Sequence, residues 1–191
     1  MKNIQKAGNF AQLGDPVLRL QAKQVEIVDC IETRRVIQAM CTELAGSNGV
    51  GLAAPQIFAS VKIIIIASRP SKRYPLAPDM EPVVMINPSF EIISAEIKKD
   101  WEGCLSIPGI RALVPRYSKI KISYSDEQGA LQELIAEDFV ARIFQHEFDH
   151  LNGLLYLDRV EDNKDIIAES EFQKIMALKV TGTCMKQLTD F

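Results

Sequence analysis

The sequence predicts a single α+β domain in which mostly antiparallel β-sheets surround a central helix, with one more helix near the C-terminal end. Apolar residues recur at helical spacing in the first and last thirds of the chain, whereas the middle holds short runs rich in β-branched residues. No internal repeat or linker divides the 191 residues. We therefore expect one domain over residues 1–191, with a terminal helix and tail from about residue 164.

Composition argues against a nucleic-acid-binding, membrane-spanning or secreted protein. The formal net charge is −3 and the basic residues are scattered, which gives no electrostatic footprint for nucleic acid. The apolar runs are too short to span a bilayer, and the first residues resemble neither a secretory signal nor a transit peptide. The 4 cysteines are widely spaced and include no CxxC pair, which fits a reducing compartment. These features predict a cytoplasmic protein without direct nucleic-acid or membrane partners.

The first helix is predicted over residues 30–45, where apolar side chains recur at helical spacing at Ile31, Val36, Ile37, Met40, Cys41 and Leu44. Gly46 supplies a stop, because glycine commonly follows the last turn of a helix. Cys30 and Cys41 fall in or beside this pattern, where a cysteine is usually a small core residue.

Strands are predicted in the middle of the chain, at residues 61–67, 83–86, 90–97 and 120–124. The segment between the first two, residues 69–82, holds four prolines and is predicted to be an exposed loop. Residues 125–129 are typical of a hairpin tip that joins 119–124 to 131–136.

Two helices are predicted to complete the chain. The first runs from about Asp138, as its N-cap, to Leu151, and Asn152 and Gly153 supply its end. One face of this helix carries Phe139, Ile143, His146 and His150. The last helix is predicted over about 165–178, and we expect the final residues to be frayed.

Both histidines of the chain, His146 and His150, frame one HExxH pentapeptide. On a helix, positions i and i+4 lie about 40° and about 6 Å apart on one face, so two imidazoles there can bind one metal ion. Glu147 flanks that position and could reach a water bound to the metal. The alternative is an HExxH that arose by chance on a solvated helix.

A catalytic metal site normally takes a third protein ligand. An HExxHxxGxxH pattern fails, since Gly153 is in place but Tyr156 occupies the last histidine position. A downstream glutamate is a second option, with Glu161, Glu169 and Glu171 as candidates in a highly charged stretch where a solvated face is the ordinary role. Cys104, preceded by Gly103, is the third option, because a metal would hold its thiol as thiolate. The residues favour Cys104 and leave the glutamates as alternatives.

Three blocks of the sequence resemble those of the peptide deformylases. They read GVGLAAPQ at 49–56, EGCLS at 102–106 and QHEFDH at 145–150, and they match the family patterns GxGxAAxQ, EGCxS and HExxH in the same order. The resemblance covers about residues 13–160. It implies that Cys104, His146 and His150 bind the metal and leave an open position for water or hydroxide.

The resemblance also implies the reaction, which is removal of the N-formyl group from the initiator methionine of new polypeptides. N-formylmethionyl nascent polypeptides are thus the expected partners, and association with the ribosome is left open. Nitrogen and sulfur donors suit zinc, iron, cobalt or nickel. Among these, the resemblance points to one Fe2+ ion, for which Zn2+, Ni2+ or Co2+ could substitute.

Hydrolysis of a formamide requires a nucleophile, stabilisation of the oxyanion and a proton for the leaving amine. Glu147 is placed to move the proton. The backbone N–H of Leu105 lies next to Cys104 and could contact the oxyanion. The resemblance gives Gln56 the same task, and the alternative for Gln56 is a hydrogen bond between a loop and a strand.

The resemblance also implies that the backbone of Val50 and Gly51, with Gly49 beside them, binds the substrate as an added strand. The alternative for Gly49 and Gly51 is that they are ordinary glycines of a turn between a helix and a strand. An apolar pocket for methionine could be formed by Val50, Phe139 and Ile143, although core packing would place the same residue types there. Glu102 and Arg111 are assigned to structural or substrate-positioning roles, and Arg142 to a pocket rim, to solvent or to a carboxylate partner.

Two other functions remain open on the sequence alone. One is a protease that uses HExxH with a downstream glutamate, and the other is a folded domain with a structural or degenerate site.

Overall fold

The computed structural model describes residues 10–70 and 77–180. Within these residues the strands are β1 (Gly51–Ala53), β2 (Ile63–Ile66), β3 (Val83–Cys104), β4 (Ile107–Ser125), β5 (Leu131–Glu137) and β6 (Ile166–Ala168). The helices are α1 (Ile31–Ala45), α2 (Asp138–Leu151) and α3 (Glu169–Val180). This arrangement confirms the predicted α+β class with antiparallel strands.

One antiparallel sheet joins the six strands of the described residues. Its order is β1-β2-β3-β4-β5, and β6 pairs with the first part of β4. β3 and β4 form a long hairpin whose tight turn, at Leu105 and Ser106, directly follows Cys104. The hairpin therefore presents residues 102–106 at the tip of a long two-stranded ribbon.

The four consecutive isoleucines of β2 explain how the sheet is buried on both faces. Side chains alternate along a strand, so Ile64 and Ile66 face one side while Ile63 and Ile65 face the other. Ile64 and Ile66 belong to the apolar cluster that contains Ala141, Ile143, Phe144 and Leu151 of α2. Ile63 and Ile65 belong to a second cluster with Ile37, Met40 and Leu44 of α1. The sheet thus lies between α1 and α2.

The long hairpin differs from the short strands that the sequence predicts. Asn87 and Pro88 interrupt the apolar pattern, but the structure accommodates them in a bulge where the pairing shifts between Ile86 and Ser89. A single strand therefore runs from residue 83 to residue 104 in place of 83–86 and 90–97. Its partner β4 begins at residue 107, well before the predicted 120–124.

Three details of the predicted helices are wrong. Asp138 is the first residue of α2 and has a positive φ of 46°, while Glu137 is the N-cap. The last helix begins at Glu169 and not at 165, because residues 166–168 pair with β4 as β6. Cys41 is exposed on α1, so it is not a core residue. Cys30 is half-buried at the N-cap of the same helix, where its sulfur accepts from the Thr33 N–H.

Other predicted boundaries agree with the structure. Helix α1 ends at Ala45 with Gly46 as its C-cap, and α2 ends at Leu151, followed by Asn152 and a left-handed Gly153. Residues 69–70 and 77–82 of the predicted loop lie outside helices and strands, and residues 71–76 fall outside the described residues. The predicted frayed tail beyond residue 180 also lies outside them. Within the described residues, no helix is both long and apolar enough to cross a bilayer.

Helix α3 packs against the hairpin close to its tip. The guanidinium of Arg111 on β4 is fully buried and forms an ion pair with the carboxylate of Glu169. The Phe172 ring contacts the Arg111 guanidinium at 5.1 Å and the Trp101 ring at 5.8 Å between centroids. A Cβ on Gly103 would lie 2.2 Å from Arg111 Nη1. The absence of a side chain at Gly103 therefore lets Arg111 lie directly against the backbone before Cys104.

We expect Glu169→Ala to lower the free energy of unfolding by about 2 kcal/mol, because it removes a charged acceptor from a buried guanidinium. Urea denaturation measures the change. Glu171→Ala is the matched control on the same helix, since Glu171 pairs with Lys174 and both side chains are exposed. The control should change the free energy by less than about 0.5 kcal/mol. Equal losses in the two variants would contradict the structural role of the Arg111–Glu169 pair.

Candidate metal centre

Three side chains that could bind a metal ion converge beside the hairpin tip. Cys104 comes from the end of β3, and His146 and His150 come from successive turns of α2. One ligand atom from each lies within 4.8 Å of the other two. The Cys104 Sγ and the His150 Nε2 are 3.3 Å apart. Among the described residues, no other cluster of three or more His, Cys, Asp or Glu side chains is arranged so that it could bind a metal ion.

The spacing of these atoms fits a small tetrahedral cation. With metal–sulfur and metal–nitrogen bonds of ordinary length, tetrahedral ligand atoms lie roughly 3.3–3.6 Å apart. The observed separation between Cys104 Sγ and His150 Nε2, 3.3 Å, lies at the short end of that range. Three protein ligands leave one position of a tetrahedron for water, which is typical of catalytic sites.

A buried carboxylate orients one of the two imidazoles. His146 Nδ1 lies 2.9 Å from Glu102 Oε2, so Nε2 is the nitrogen left to face Cys104 and His150. Such a carboxylate partner fixes the tautomer of a metal-binding histidine. The other face of the His146 ring stacks on Tyr156, with an interplanar angle of 24°. The position that an HExxHxxGxxH site would give to a third histidine is therefore used for packing.

Glu102 is itself held by two arginines. Arg116 donates to both of its carboxylate oxygens, at 2.9 and 3.0 Å, and Arg142 donates to Oε1 at 2.9 Å. Burial alone would raise the pKa of Glu102, but the charge of Arg116 and the hydrogen bond with His146 outweigh it. The pKa of Glu102 therefore lies well below its ordinary value, and the carboxylate stays ionised.

The thiol of Cys104 is also shifted towards its charged form. Burial would raise its pKa, but the charge of His150 and the hydrogen bonds with both histidines lower it well below the ordinary value. The thiolate is the form that binds metals. The surroundings of Cys104 thus favour metal binding.

Glu147 lines the same cavity as Cys104 and His146, and its side chain is buried. Burial raises the pKa of Glu147 to about 7, although the charges of His146 and His150 act in the opposite direction. Its Oε2 has no hydrogen-bond partner among the described residues. A Cβ on Gly51 would lie 2.6 Å from Glu147 Oε1 and 2.8 Å from Ile143 Cγ2. Glycine at position 51 therefore gives the carboxylate its space against β1.

The cavity in front of these residues has about 580 Å³ of empty space, including the open solvent at its mouth. Its walls come from β1, the hairpin tip and α2. Most residues that the sequence assigns to catalysis or substrate binding line it, namely Gly49, Val50, Gly51, Gln56, Glu102, Cys104, Leu105, Phe139, Ile143, His146 and Glu147. Trp101, Asn48, Gly103 and Arg142 line it as well.

The side chain of Gln56 is oriented towards the metal centre. Its Oε1 accepts from the Ala53 N–H at 2.8 Å, so Nε2 is the end that lies 3.3 Å from Cys104 Sγ and from Ser106 Oγ. Leu105 is the first residue of the tight turn after Cys104. Gln56 and Leu105 both line the cavity next to Cys104.

Two predicted substrate-positioning residues have other partners. Arg111 is not among the residues that line the cavity and pairs with Glu169 on the far side of Gly103. Glu102 reaches the cavity wall, but its oxygens accept from Arg116, Arg142 and His146. Of the roles open to Arg142, the structure shows pairing with a carboxylate at the edge of the cavity.

The alternative third ligands lie elsewhere. Glu161 pairs with Lys99 and Glu171 with Lys174, all at exposed positions, and Glu169 pairs with Arg111. None of the three glutamates belongs to the group that includes the two histidines. The donor set required by the protease hypothesis is therefore not assembled in the described residues.

Sequence reasoning missed Asp149, Arg116 and Trp101 as parts of this region. Asp149 lies inside the HExxH segment, and its carboxylate accepts from Arg116 at 2.6 Å and from Arg159 at 2.7 Å. The signal for Asp149 was its position on a helix face that is otherwise buried. Trp101 could have been noticed because it is the only tryptophan of the chain and directly precedes the EGCLS block.

Comparison with known proteins extends these observations to a family. Residues 8–165 match the polypeptide deformylase family. Peptide deformylase 2 of Nostoc sp. is 51% identical over 165 residues, which cover 86% of this chain and 92% of the relative. Peptide deformylase 1 of Nitrosomonas europaea is 42% identical and covers 79% of this chain and 86% of its own length.

Solved structures of peptide deformylases are also similar to this chain. A class I type b peptide deformylase from Acinetobacter baumannii, bound to Met-Ala-Ser, superposes with a TM-score of 0.77 at 42% identity, covering 79% of this chain and 96% of that one. A peptide deformylase from Synechococcus elongatus in complex with actinonin has a TM-score of 0.71 at 37% identity and covers 97% of this chain and 91% of its own.

We expect Cys104→Ala to reduce the bound metal from about one ion per chain to near zero, because a structural or catalytic site rarely holds its metal on two ligands. Elemental analysis after gel filtration measures this without reference to activity. Cys41→Ala is the matched control, since Cys41 is exposed on α1 and far from the site in sequence. Full metal content in Cys104→Ala would refute Cys104 as a ligand.

Proposed function

The chain belongs to the polypeptide deformylase family, and on this basis we propose which of its residues carry out the reaction and which metal it uses. As a member of that family, the protein is a metal-dependent enzyme that removes the N-formyl group from formylmethionyl nascent polypeptides. The observation that supports the residue assignments best is the convergence of Cys104, His146 and His150 beside a buried glutamate, Glu147.

Cys104, His146 and His150 are the proposed metal ligands, and Fe2+ is the proposed ion, with Zn2+, Ni2+ or Co2+ as substitutes. The two nitrogens and one thiolate sulfur suit all four ions. When bound, such an ion supplies Lewis acidity, which polarises a carbonyl oxygen and lowers the pKa of a coordinated water towards 7.

Glu147 is the proposed general acid and base. A pKa of about 7 means that both of its protonation states are accessible near neutral pH, which suits a group that first takes and then returns a proton. It would remove a proton from the attacking water and pass that proton to the amine that leaves as formate is released. Its position next to His146 on α2 keeps it in the cavity through both steps.

Gln56 and Leu105 are the proposed donors to the oxyanion. The orientation of the Gln56 amide is fixed by Ala53, so its Nε2 does not need to reorganise when negative charge develops on the substrate oxygen. The Leu105 N–H is fixed by the tight turn that follows Cys104. Loss of one such donor typically slows catalysis by about 10²- to 10³-fold.

The peptide part of the substrate is proposed to add to the sheet along β1. β1 is the terminal strand in the sheet order, so one of its edges is not used by β2. An extended peptide beside Gly49, Val50 and Gly51 would form backbone hydrogen bonds there. The methionine side chain would then contact Val50, Ile143 and Phe139.

Glu102 and Arg111 are proposed to act by positioning other residues. Glu102 orients His146, and Arg111 supports the backbone of Gly103.

We also propose that residues 1–191 form one domain around the helix that carries HExxH, with a C-terminal helix and tail. The net charge of −3 supports the proposal that the enzyme has no direct nucleic-acid partner, and the short apolar runs support the absence of a membrane partner. The widely spaced cysteines support the proposal that it is cytoplasmic, and association with the ribosome is left open.

We expect Glu147→Gln to retain the fold and the bound metal but to lower kcat for formyl-Met-Ala-Ser by about 10²- to 10⁴-fold, because it removes the proton carrier. Formate release under anaerobic conditions is the measurement, with acetyl-Met-Ala-Ser as the substrate control. Glu133→Gln, at an exposed position on β5, is the variant control. Turnover that is unchanged in Glu147→Gln would rule out the proposed role of Glu147.

A second experiment tests the identity of the metal. Peroxide should inactivate the Fe2+-loaded protein within a time in which the Ni2+- or Zn2+-loaded protein keeps its activity, since both ferrous iron and its thiolate ligand are open to oxidation. Residual formate release is followed against time of exposure. If the iron and nickel forms lost activity at equal rates, an iron-specific lesion would be contradicted.

A further inference from the structure

Trp101 lines the cavity and has no role in the mechanism above. It lies on β3, three residues before Cys104, and its side chain is half-buried. At about 3.3 Å per residue along a strand, three residues place its Cα roughly 10 Å from the Cα of Cys104. Phe139 lines the same cavity, and it lies seven residues before His146 on α2, which is also about 10 Å along the helix axis. Two aromatic side chains thus line the cavity from backbone positions roughly 10 Å along β3 and α2 from a candidate metal ligand.

The indole of Trp101 is held in place from behind by α3. Phe172 is only 4% exposed, and its ring meets the Trp101 ring edge-to-face at an interplanar angle of 62°. Phe172 is fixed in turn by the buried guanidinium of Arg111. Aromatic pairs in this geometry restrict each other's orientation. Trp101 therefore presents a preorganised surface at the cavity wall.

The segment that supplies this support is separate from the family match. The match to the polypeptide deformylase family covers residues 8–165, whereas α3 spans Glu169–Val180. Glu169 and Phe172 of this helix contact the two strands that bracket Cys104. A helix beyond the family match thus helps to shape one wall of the cavity.

The distances along an extended peptide indicate which part of a substrate reaches Trp101. With the formyl carbon beside the candidate metal ligands, the Cα of the residue after methionine lies about 6 Å away, because consecutive Cα atoms are about 3.8 Å apart. A side chain of ordinary length extends a few Å further. The buried Ile143 lies one turn from His146 and is better placed for the methionine side chain itself.

We propose that Trp101 is a specificity-determining residue that contacts the side chain of the residue following the formylmethionine, and that Phe172 is the positioning residue for its indole. This inference rests on the proposed function. It predicts a preference for substrates with a large apolar side chain at the second position, since such side chains bury more apolar surface against the indole.

The test compares the kinetics of formyl-Met-Leu-Ser and formyl-Met-Ala-Ser on the metal-loaded protein. Trp101→Ala should raise KM for the leucine peptide by about three- to tenfold, change KM for the alanine peptide by less than about twofold, and leave kcat for both unchanged. Trp101→Phe keeps an aromatic ring and should restore most of the preference. Ile93→Ala is the matched control, because Ile93 is an exposed apolar residue of the same strand that does not line the cavity.

Equal changes of KM for the two peptides, or no change, would overturn the assignment. A third peptide, formyl-norleucyl-Ala-Ser, separates the two positions of the substrate. If Trp101→Ala altered discrimination between methionine and norleucine and not between leucine and alanine, Trp101 would belong to the methionine pocket and the proposal would be wrong. A wild-type protein that released no formate from any peptide would instead contradict the activity.

Fluorescence gives a readout that does not depend on turnover. Trp101 is the only tryptophan of the chain, so its emission reports on this site alone. Addition of the deformylated peptide Met-Leu-Ser to the metal-loaded protein should shift the emission to shorter wavelength and saturate. Phe172→Leu keeps an apolar residue at the support position and should raise the Trp101 mobility measured by anisotropy, with a smaller rise of KM than in Trp101→Ala. Saturating peptide that left the emission unchanged would refute contact with Trp101.

Discussion

The arrangement of the metal centre depends on one carboxylate, Glu102, buried where β3, β4 and α2 meet. Removing a carboxylate from water is strongly unfavourable unless positively charged partners and hydrogen bonds replace the solvent. Here Arg116 comes from β4, Arg142 and His146 come from α2, and all three bind the same group. The hairpin and the helix are therefore joined by a contact that neither can satisfy alone. The same contact sets the orientation of His146.

The network continues through the HExxH segment to the residues that follow it. Arg116 also binds Asp149, and the other oxygen of Asp149 accepts from Arg159 in the short 3-10 turn Tyr156–Arg159. Asp149, one of the two residues that the HExxH pattern leaves unspecified, therefore helps to hold α2 in place. Removing one partner of such a buried pair typically costs several kcal/mol, because the other charge is left unpaired. The geometry of the site is consequently determined well beyond the residues that face the cavity.

Local sequence patterns carry more information about the candidate site than about the lengths of the strands around it. The i, i+4 spacing of two histidines has a direct geometric meaning on a helix, and the EGCLS block supplied Cys104 by resemblance. The length of β3 could not be predicted from the local pattern, because Asn87 and Pro88 are typical of a strand end. The strand continues through them only because its pairing with β4 shifts there and forms a bulge. The partners of Glu102 and Arg111 come from distant parts of the chain, and the pattern within a single sequence carries no signal for such pairings. β6 was missed for the same reason, since three residues become a strand only by pairing with β4.

The separation of the proposed ligands along the chain has a thermodynamic consequence. Cys104 stands at the tip of a hairpin, and the two histidines lie more than forty residues later on a helix, so the unfolded chain holds no comparable set of donors. An ion that binds only the folded state stabilises it by mass action, to an extent that grows with the logarithm of the free ion concentration. The melting temperature of this protein should therefore follow the availability of the ion in its surroundings, and a chelator should act as a denaturant.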